Sequence, residues 1–343
     1  MIDLSPFWAH KTVVVAGATG FLGGWLVRLL LDQGAKVIST VRTSKDGSQV
    51  SREHLLDRTA VEWGSVCDSA FVSDLFERHP VDVFFHAAYG ADVNRVLDEP
   101  LECFSSSVAS TWMILDTIRR KRPSCVSVIS SSDKAYGTQA LPYCESSPLT
   151  PLHPYEVAKA SQDLAAQSFG KVYRVPVAVT RCGNFFGPFD FNFTRLFPSA
   201  CASLARGVPL VLRSDGRATR DFLYIEDAAE AQLLLARRLS EDTSLYGEAF
   251  NFSYGEPIEV REVLRRIVRL SGTNLEPVVT DSAKAEIRHM HLSSEKAAKR
   301  LGWSPRIGFN EGLRRTFQWY RSHFSKTPDD PSDGESIQRS GLA

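Results

Sequence analysis

With 343 residues, the chain is long enough to bury a substantial core, either as one large α/β domain or as a domain with an appended lobe. Its 40 Lys and Arg residues balance 40 Asp and Glu residues, and no basic block stands out, which argues against a nucleic-acid surface. The six cysteines (Cys67, Cys103, Cys125, Cys144, Cys182 and Cys201) are scattered, with no Cys-x-x-Cys pair and no Cys/His cluster suited to zinc, so reduced thiols in a cytoplasm and no metal are expected. No membrane segment is expected either, because the most apolar helical stretch, LVRLLL, is interrupted by Arg28 and far too short to span. Asp3, His10 and Lys11 precede the first apolar run, unlike a signal peptide.

The first element is the β-branched run Thr12 to Ala16, which turns into Gly17-Ala18-Thr19-Gly20-Phe21-Leu22-Gly23-Gly24. Leu22, Leu26, Leu29 and Leu30 then share one helical face, and Gly34 ends the helix. Strand, glycine turn and helix in this order suit a dinucleotide: the glycines allow a tight turn and close approach of a pyrophosphate, and the helix start offers N–H groups to it. The spacing is Gly-x-x-Gly-x-x-Gly rather than the commoner Gly-x-Gly-x-x-Gly. Gly17, Thr19, Gly20, Phe21, Leu22 and Gly23 are the candidate cofactor cradle.

The second strand, KVISTV, ends in Arg42-Thr43-Ser44, with no acid to meet ribose hydroxyls. Arg42 is either a surface arginine or an acceptor for a 2′-phosphate, so NAD and NADP both stay open. A third unit contains VEWGSVCD. A fourth, VDVFFHAAYGADV, brings Ala87 and Ala88 to a strand end where small residues let the backbone lie against a flat ligand; His86 reads as structural.

CVSVIS reads as a buried strand, from which Ser130-Ser131-Ser132-Asp133-Lys134-Ala135-Tyr136-Gly137 emerges. Polar residues leaving a parallel sheet at its carboxyl edge suggest chemistry, and the plainer alternative is a Ser/Asp turn that caps the next element. Pro154 suits a helix start, which places Tyr155 and Lys159 on one helical face. A phenol is a poor base at neutral pH, but an adjacent ammonium favours its phenolate, so this pair can accept a proton while hydride leaves.

After the strand VPVAVT and the segment RCGNFFGP the regular alternation loosens, and a second lobe is expected to begin there. Five arginines, Arg181, Arg195, Arg217, Arg220 and Arg288, are candidates to grip a nucleotide diphosphate, since the guanidinium fork matches phosphate oxygens. The expected organisation is a Rossmann-type doubly wound parallel sheet over 1–183, a smaller α/β substrate-binding lobe over 184–325 with some segments returning to the first domain, and a disordered polar tail over 326–343.

Taken in order, the glycine turn, HAA, SSSDKAYG, PYEVAK, RCGNFFG, TRDFLYIED, EAFNFS and KAAKRLGWSP resemble the extended short-chain dehydrogenase/reductase superfamily, in its nucleotide-sugar branch. Within it the chain is most similar to CDP-glucose 4,6-dehydratases. The similar features are Phe7-Trp8, Gly20-Phe21 with Trp25, Ser132-Asp133-Lys134 and GNFFGPFDFNFTRLFP. The turn GATGFLGG departs from that group, which tends to carry a His and a Lys there, and Ser65 stands where relatives often have an Asp near the adenine.

The resemblance implies an NAD(P)-dependent lyase that converts a nucleotide-diphosphate hexose to its 4-keto-6-deoxy form with a tightly retained cofactor. It implies Ser132, Tyr155 and Lys159 for oxidation at C4, Asp133 and Lys134 for elimination of water, and Asn184, Arg195, Arg220 and Arg288 for the substrate. It also implies a homodimer, for which 101–119 and 155–169 are the candidate helices. A nucleotide-sugar epimerase or 4-keto reductase shares the fold and the Tyr/Lys pair, and a dinucleotide-sensing regulator is the alternative from another class.

Overall fold

A computed structural model describes residues 5–43, 47–89, 95–208, 210–212, 214–273, 278–279 and 288–326. The tail expected to be disordered falls almost wholly outside these residues. The chain forms two compact units. One combines the residues up to Cys182 with Ala228–Phe252 and Ser293–Ser304; the other combines Gly183–Asp227, Ser253–Leu292 and the residues from Pro305 onward.

The first unit is built on a seven-stranded sheet of β1 (Thr12–Ala16), β2 (Lys36–Val41), β3 (Ala60–Trp63), β4 (Val83–His86), β5 (Val126–Ser130), β6 (Val177–Cys182) and β7 (Ala249–Phe252). Their order is β7-β6-β5-β4-β1-β2-β3, and every neighbouring pair is parallel. This is the Rossmann-type sheet that the alternation of strands and helices predicts. Parallel strands covered on both faces read as continuous apolar runs, and β4, β5 and β6 are buried along their whole length. The chain winds one way from β1 to β3 and the other way from β4, so β1 and β4 meet at the switch point, with Ala16 level with His86. Ligands bind outside the carboxyl ends of strands at such a point.

Four helices surround or carry the residues singled out above. In α1 (Phe21–Asp32), Leu22, Leu26, Leu29 and Leu30 are buried, and the chain leaves through Gly34, whose φ of +80° suits glycine. The start of α2 (Ser69–Arg78) is fixed by Asp68, whose carboxylate accepts from the Ala70 N–H at 2.9 Å. A short helix, Pro100–Phe104, passes through a π-helical turn, Ser105–Ala109, into α3 (Ser110–Lys121). Last comes α4 (Pro154–Tyr173), which has Pro at its start and a reciprocal cap: His153 Nδ1 accepts from the Tyr155 N–H, and Glu156 Oε2 accepts from the His153 N–H. The core of this unit joins Val14, Ile38, Phe84 and Ile129 of the sheet to Leu75, Phe76 and Ile114 of the helices.

The second unit has its own core, rich in aromatic rings, in which Phe186, Phe197, Phe222 and Phe309 meet at centroid distances of 4.6 to 6.4 Å. Its largest paired element joins Asn184–Phe186 in parallel to Phe222–Tyr224. Among the described residues, no helix is long and apolar enough to cross a membrane.

Candidate active site

The glycine turn follows β1 directly, and Gly17, Gly20 and Gly23 within it are each close-packed. Gly17 has φ +87°, and a Cβ there would fall 2.6 Å from Ala87 O and 2.9 Å from Ala88 Cα. At Gly23 a Cβ would come within 2.0 Å of Gly17 O. Gly20 donates its N–H to Gly17 O at 2.9 Å, and a Cβ on it would meet that same oxygen at 3.1 Å. The turn is thus folded onto the end of β4, with Ala87 donating its N–H to Ala16 O at 2.9 Å. No side chain caps α1 at Gly20, so its first-turn N–H groups are left to water or a ligand anion.

Ser130 to Lys134 leave β5 as a set of linked hydrogen bonds. Ser130 Oγ donates to Gln232 Oε1 at 3.0 Å, and Ser131 Oγ donates to the Lys159 carbonyl at 3.1 Å, tying the strand end to α4. Ser132 caps a 3-10 turn, Asp133–Tyr136: its Oγ accepts the Lys134 N–H at 3.2 Å and donates to Asp133 Oδ1 at 2.9 Å. Lys134 Nζ reaches the same carboxylate oxygen at 3.2 Å. The capping turn is therefore present, and it is also what gathers a hydroxyl, a carboxylate and an amine at one point.

Tyr155 and Lys159 lie on the first turns of α4. Tyr155 packs in a small cluster with Val96, Cys103, Val108 and Ala158. Lys159 is fully buried; its Nζ donates to Ser130 O and to Gln162 Oε1, each at 3.1 Å, and lies 2.8 Å from the centroid of the Tyr89 ring. Burial holds the ammonium well below the usual lysine range, opposed by Cys103 and Asp163. Beneath them His86 is neutral, pushed down to about 3 by burial and then by Lys159. Its tautomer is set by its partner: Ser110 gives its proton to Ser106 O at 2.7 Å and so accepts from His86 Nε2 at 2.8 Å.

Residues 13–252 match the NAD dependent epimerase/dehydratase family. The chain belongs to this family. The dTDP-glucose 4,6-dehydratase 1 of Escherichia coli (strain K12) is 27% identical over 94% of this chain and 96% of its own length. Among solved structures, a dTDP-glucose 4,6-dehydratase from Bacillus anthracis in complex with NAD is 25% identical with a TM-score of 0.81, covering 92% of this chain and 98% of that one. The UDP-glucose 4-epimerase of Thermotoga maritima, solved with UDP-glucose, is alike in fold, with a TM-score of 0.82 at 24% identity over 92% of this chain and 100% of its own. The nucleotide-sugar branch of the extended short-chain dehydrogenases is thus the right setting for the site.

Family members depend on NAD, and the residues at the switch point fit a dinucleotide. Gly17, Gly20 and Gly23 let backbone pack where a Cβ would stand, the helix start has no side-chain cap, and Ala87 and Ala88 lie against Gly17. Arg42 follows β2 as an exposed residue, 3.6 Å from Glu102 Oε1. An exposed pair of this kind is weak and readily exchanged for another anion.

One arginine requires a correction. Arg181 is not available to grip a substrate: it is buried at the end of β6, where Nε and Nη2 bind Asp163 at 2.7 and 2.9 Å and Nη1 donates to Tyr136 OH at 2.8 Å. A charged residue inside the run VPVAVTRC needs a partner on burial, and that rule points to Asp163 in the preceding helix. The remaining candidates lie in the second unit. Arg220 and Arg288 are neighbours, since Arg220 Nη1 donates to Thr219 O at 2.9 Å and Thr219 N donates to Arg288 O at 2.9 Å. Arg288 also pairs with Asp215 at 2.7 Å, while Arg217 is exposed. Arg195 precedes the helix Leu196–Ala205 and is held by the buried Asp190 at 3.1 Å; Asn184 is half-buried, its N–H on Asp221 O at 2.9 Å. Sequence reasoning missed Gln162, Thr111, Tyr89 and Asn251, all polar or aromatic groups close to the candidate residues of the first unit.

Proposed function

We propose that the chain is a nucleotide-sugar 4,6-dehydratase, which turns a nucleotide-diphosphate hexose into the 4-keto-6-deoxy sugar. The observation that carries this reading is the contact of Lys134 Nζ with the nearly buried Asp133 at 3.2 Å, directly beside Ser132. Epimerisation at C4 requires only reversible oxidation, whereas loss of water also requires an acid and a base.

A bound nicotinamide supplies the hydride acceptor for C4 and the hydride that later reaches C6. Tyr155 takes the proton of the C4 hydroxyl, and Ser132 shares that hydrogen bond. The 4-ketone acidifies the C5 hydrogen, which Lys134 removes while Asp133 protonates the departing C6 hydroxyl, after a proton has crossed their 3.2 Å contact. As hydride reaches C6, Lys134, its proton exchanged with solvent, delivers a proton to C5, and the proton taken up by Tyr155 passes through solvent to restore the starting protonation of the site. Arg195, Arg220 and Arg288, with Asn184, are proposed to hold the nucleotide diphosphate, and Arg42 to face the ribose side of either NAD or NADP.

CDP-glucose is placed first among substrates, on the run GNFFGPFDFNFTRLFP. The test is a panel of CDP-, dTDP-, UDP- and GDP-hexoses in deuterated water, with NAD and NADP in turn, read by mass. Loss of water with one solvent deuterium at C5 is expected. An isomer of unchanged mass would identify an epimerase instead, and no turnover of any sugar would sink the reading. Lys134→Ala is expected to slow water loss by about 10²-fold or more; elimination at the wild-type rate would show that the base lies elsewhere.

A homodimer in the cytoplasm is part of the proposal. The helices around 100–121 and 154–173 expose Leu101, Trp112 and Leu164, side chains that gain by covering one another. Sedimentation equilibrium is expected to give twice the chain mass, and a monomer throughout the micromolar range would exclude the dimer.

A further inference from the structure

Lys159 is a buried cation without a carboxylate partner in hydrogen-bond contact among the described residues, and its support comes from an amide. Gln162 follows it on α4. The orientation of that amide is fixed by its neighbours: Thr111 gives its only proton to Ser107 O at 2.6 Å, so at 3.1 Å it accepts from Gln162 Nε2. Gln162 Oε1 is thereby turned to Lys159 Nζ at 3.1 Å. Donation runs one way, from Lys159 through Gln162 and Thr111 into a backbone carbonyl, and all four residues have 0% exposure. The receiving carbonyl lies in the π-helical turn Ser105–Ala109, where the extra residue shifts carbonyls away from their regular partners.

We propose that Gln162 is a positioning residue that keeps Lys159 protonated and aimed, anchored through Thr111 on the π-turn carbonyl of Ser107. A neutral acceptor serves this purpose better than a carboxylate. It satisfies an N–H of the ammonium without cancelling the charge that makes the Tyr155 phenolate accessible. Around Lys159, Asp163 on the same helix is already committed to Arg181, and His86 of β4 is neutral. Cys103 lies on the segment before the π-turn, and Tyr89 and Tyr155 are phenols. Gln162 thus supplies the one side-chain hydrogen-bond acceptor that Lys159 has among the described residues. The catalytic value of this arrangement rests on the assignment of Tyr155 and Lys159 under the proposed function, but the arrangement itself is testable without turnover.

The test tracks the side-chain signals of ¹³C-labelled lysine by NMR across pH, with Lys159 identified by the signal lost in Lys159→Met. Removing the acceptor in Gln162→Leu is expected to lower the Lys159 midpoint by about one pH unit or more, and Gln162→Glu to raise it by a similar amount. Thr111→Val, which frees the amide to turn, is expected to lower it by less. The alkaline limb of the turnover profile should move in the same directions. A merely structural role would change the melting temperature and leave the midpoint in place, and an unmoved midpoint in both Gln162→Glu and Thr111→Val overturns the proposal even if Gln162→Leu does not fold. A wild-type protein inert to every nucleotide sugar would refute the proposed function while the titration still decides this inference.

Discussion

Tyr155→Phe is expected to lower turnover by about 10²–10⁴-fold, with little change in melting temperature. The substitution removes the group proposed to accept the sugar proton and keeps the ring that packs against Val96, Cys103 and Ala158. Because a phenol in the proposed role acts in the transition state, the loss should fall on kcat, with KM nearly unchanged. Initial rates on the sugar that the panel identifies, together with a thermal melt, provide the check. A variant retaining about a tenth of the wild-type rate would show that proton transfer does not pass through Tyr155.

The largest expected effect on stability comes from Asp163→Ala. It strands the Arg181 guanidinium, 2% exposed, in the interior of the first unit, and losing one partner of a buried pair costs about 3–5 kcal/mol. Replacing both partners, Asp163→Leu with Arg181→Met, should cost less, because no buried charge is then left alone. Chemical denaturation of the three proteins measures the difference, and a loss below about 1 kcal/mol in Asp163→Ala would contradict the account. The effect reaches the site as well. Tyr136 OH accepts from Arg181 and donates to Asn251 Oδ1, both at 2.8 Å, and Tyr136 closes the turn that carries Asp133 and Lys134.

Local pattern accounts for what the sequence reveals here. The strand–glycine–helix start, the four αβ units and the i, i+4 spacing of Tyr155 and Lys159 all express backbone periodicity, and the Rossmann-type sheet follows them closely. The remainder is decided by contacts between residues far apart in the chain. Arg181 reads as a phosphate ligand because its partner sits 18 residues earlier on a helix face that looks solvent-exposed. Gln162 looks like an ordinary surface glutamine until Thr111, 51 residues before it, is placed against it by the packing of α3 on α4. The π-turn leaves no mark that a 3.6-residue repeat would show, since its only sequence trace is a run of serines. The return of 249–252 to the sheet is carried by four residues, too short a run to distinguish a strand from a loop.

That late return governs how the molecule can be made. β7 pairs with β6, which ends 67 residues earlier (249 − 182), so a nascent chain that has emerged only as far as Glu248 presents β6 as an open edge. The same strand delivers Asn251, whose amide nitrogen donates to Tyr143 O and whose oxygen accepts from Tyr136. Docking of β7 therefore does two things at once: it covers the six-residue β6 and leaves only the four-residue β7 as the edge, and it fixes the turn that carries Asp133 and Lys134. The turn that carries Asp133 and Lys134 thus gains this support only once Ala249–Phe252 has emerged.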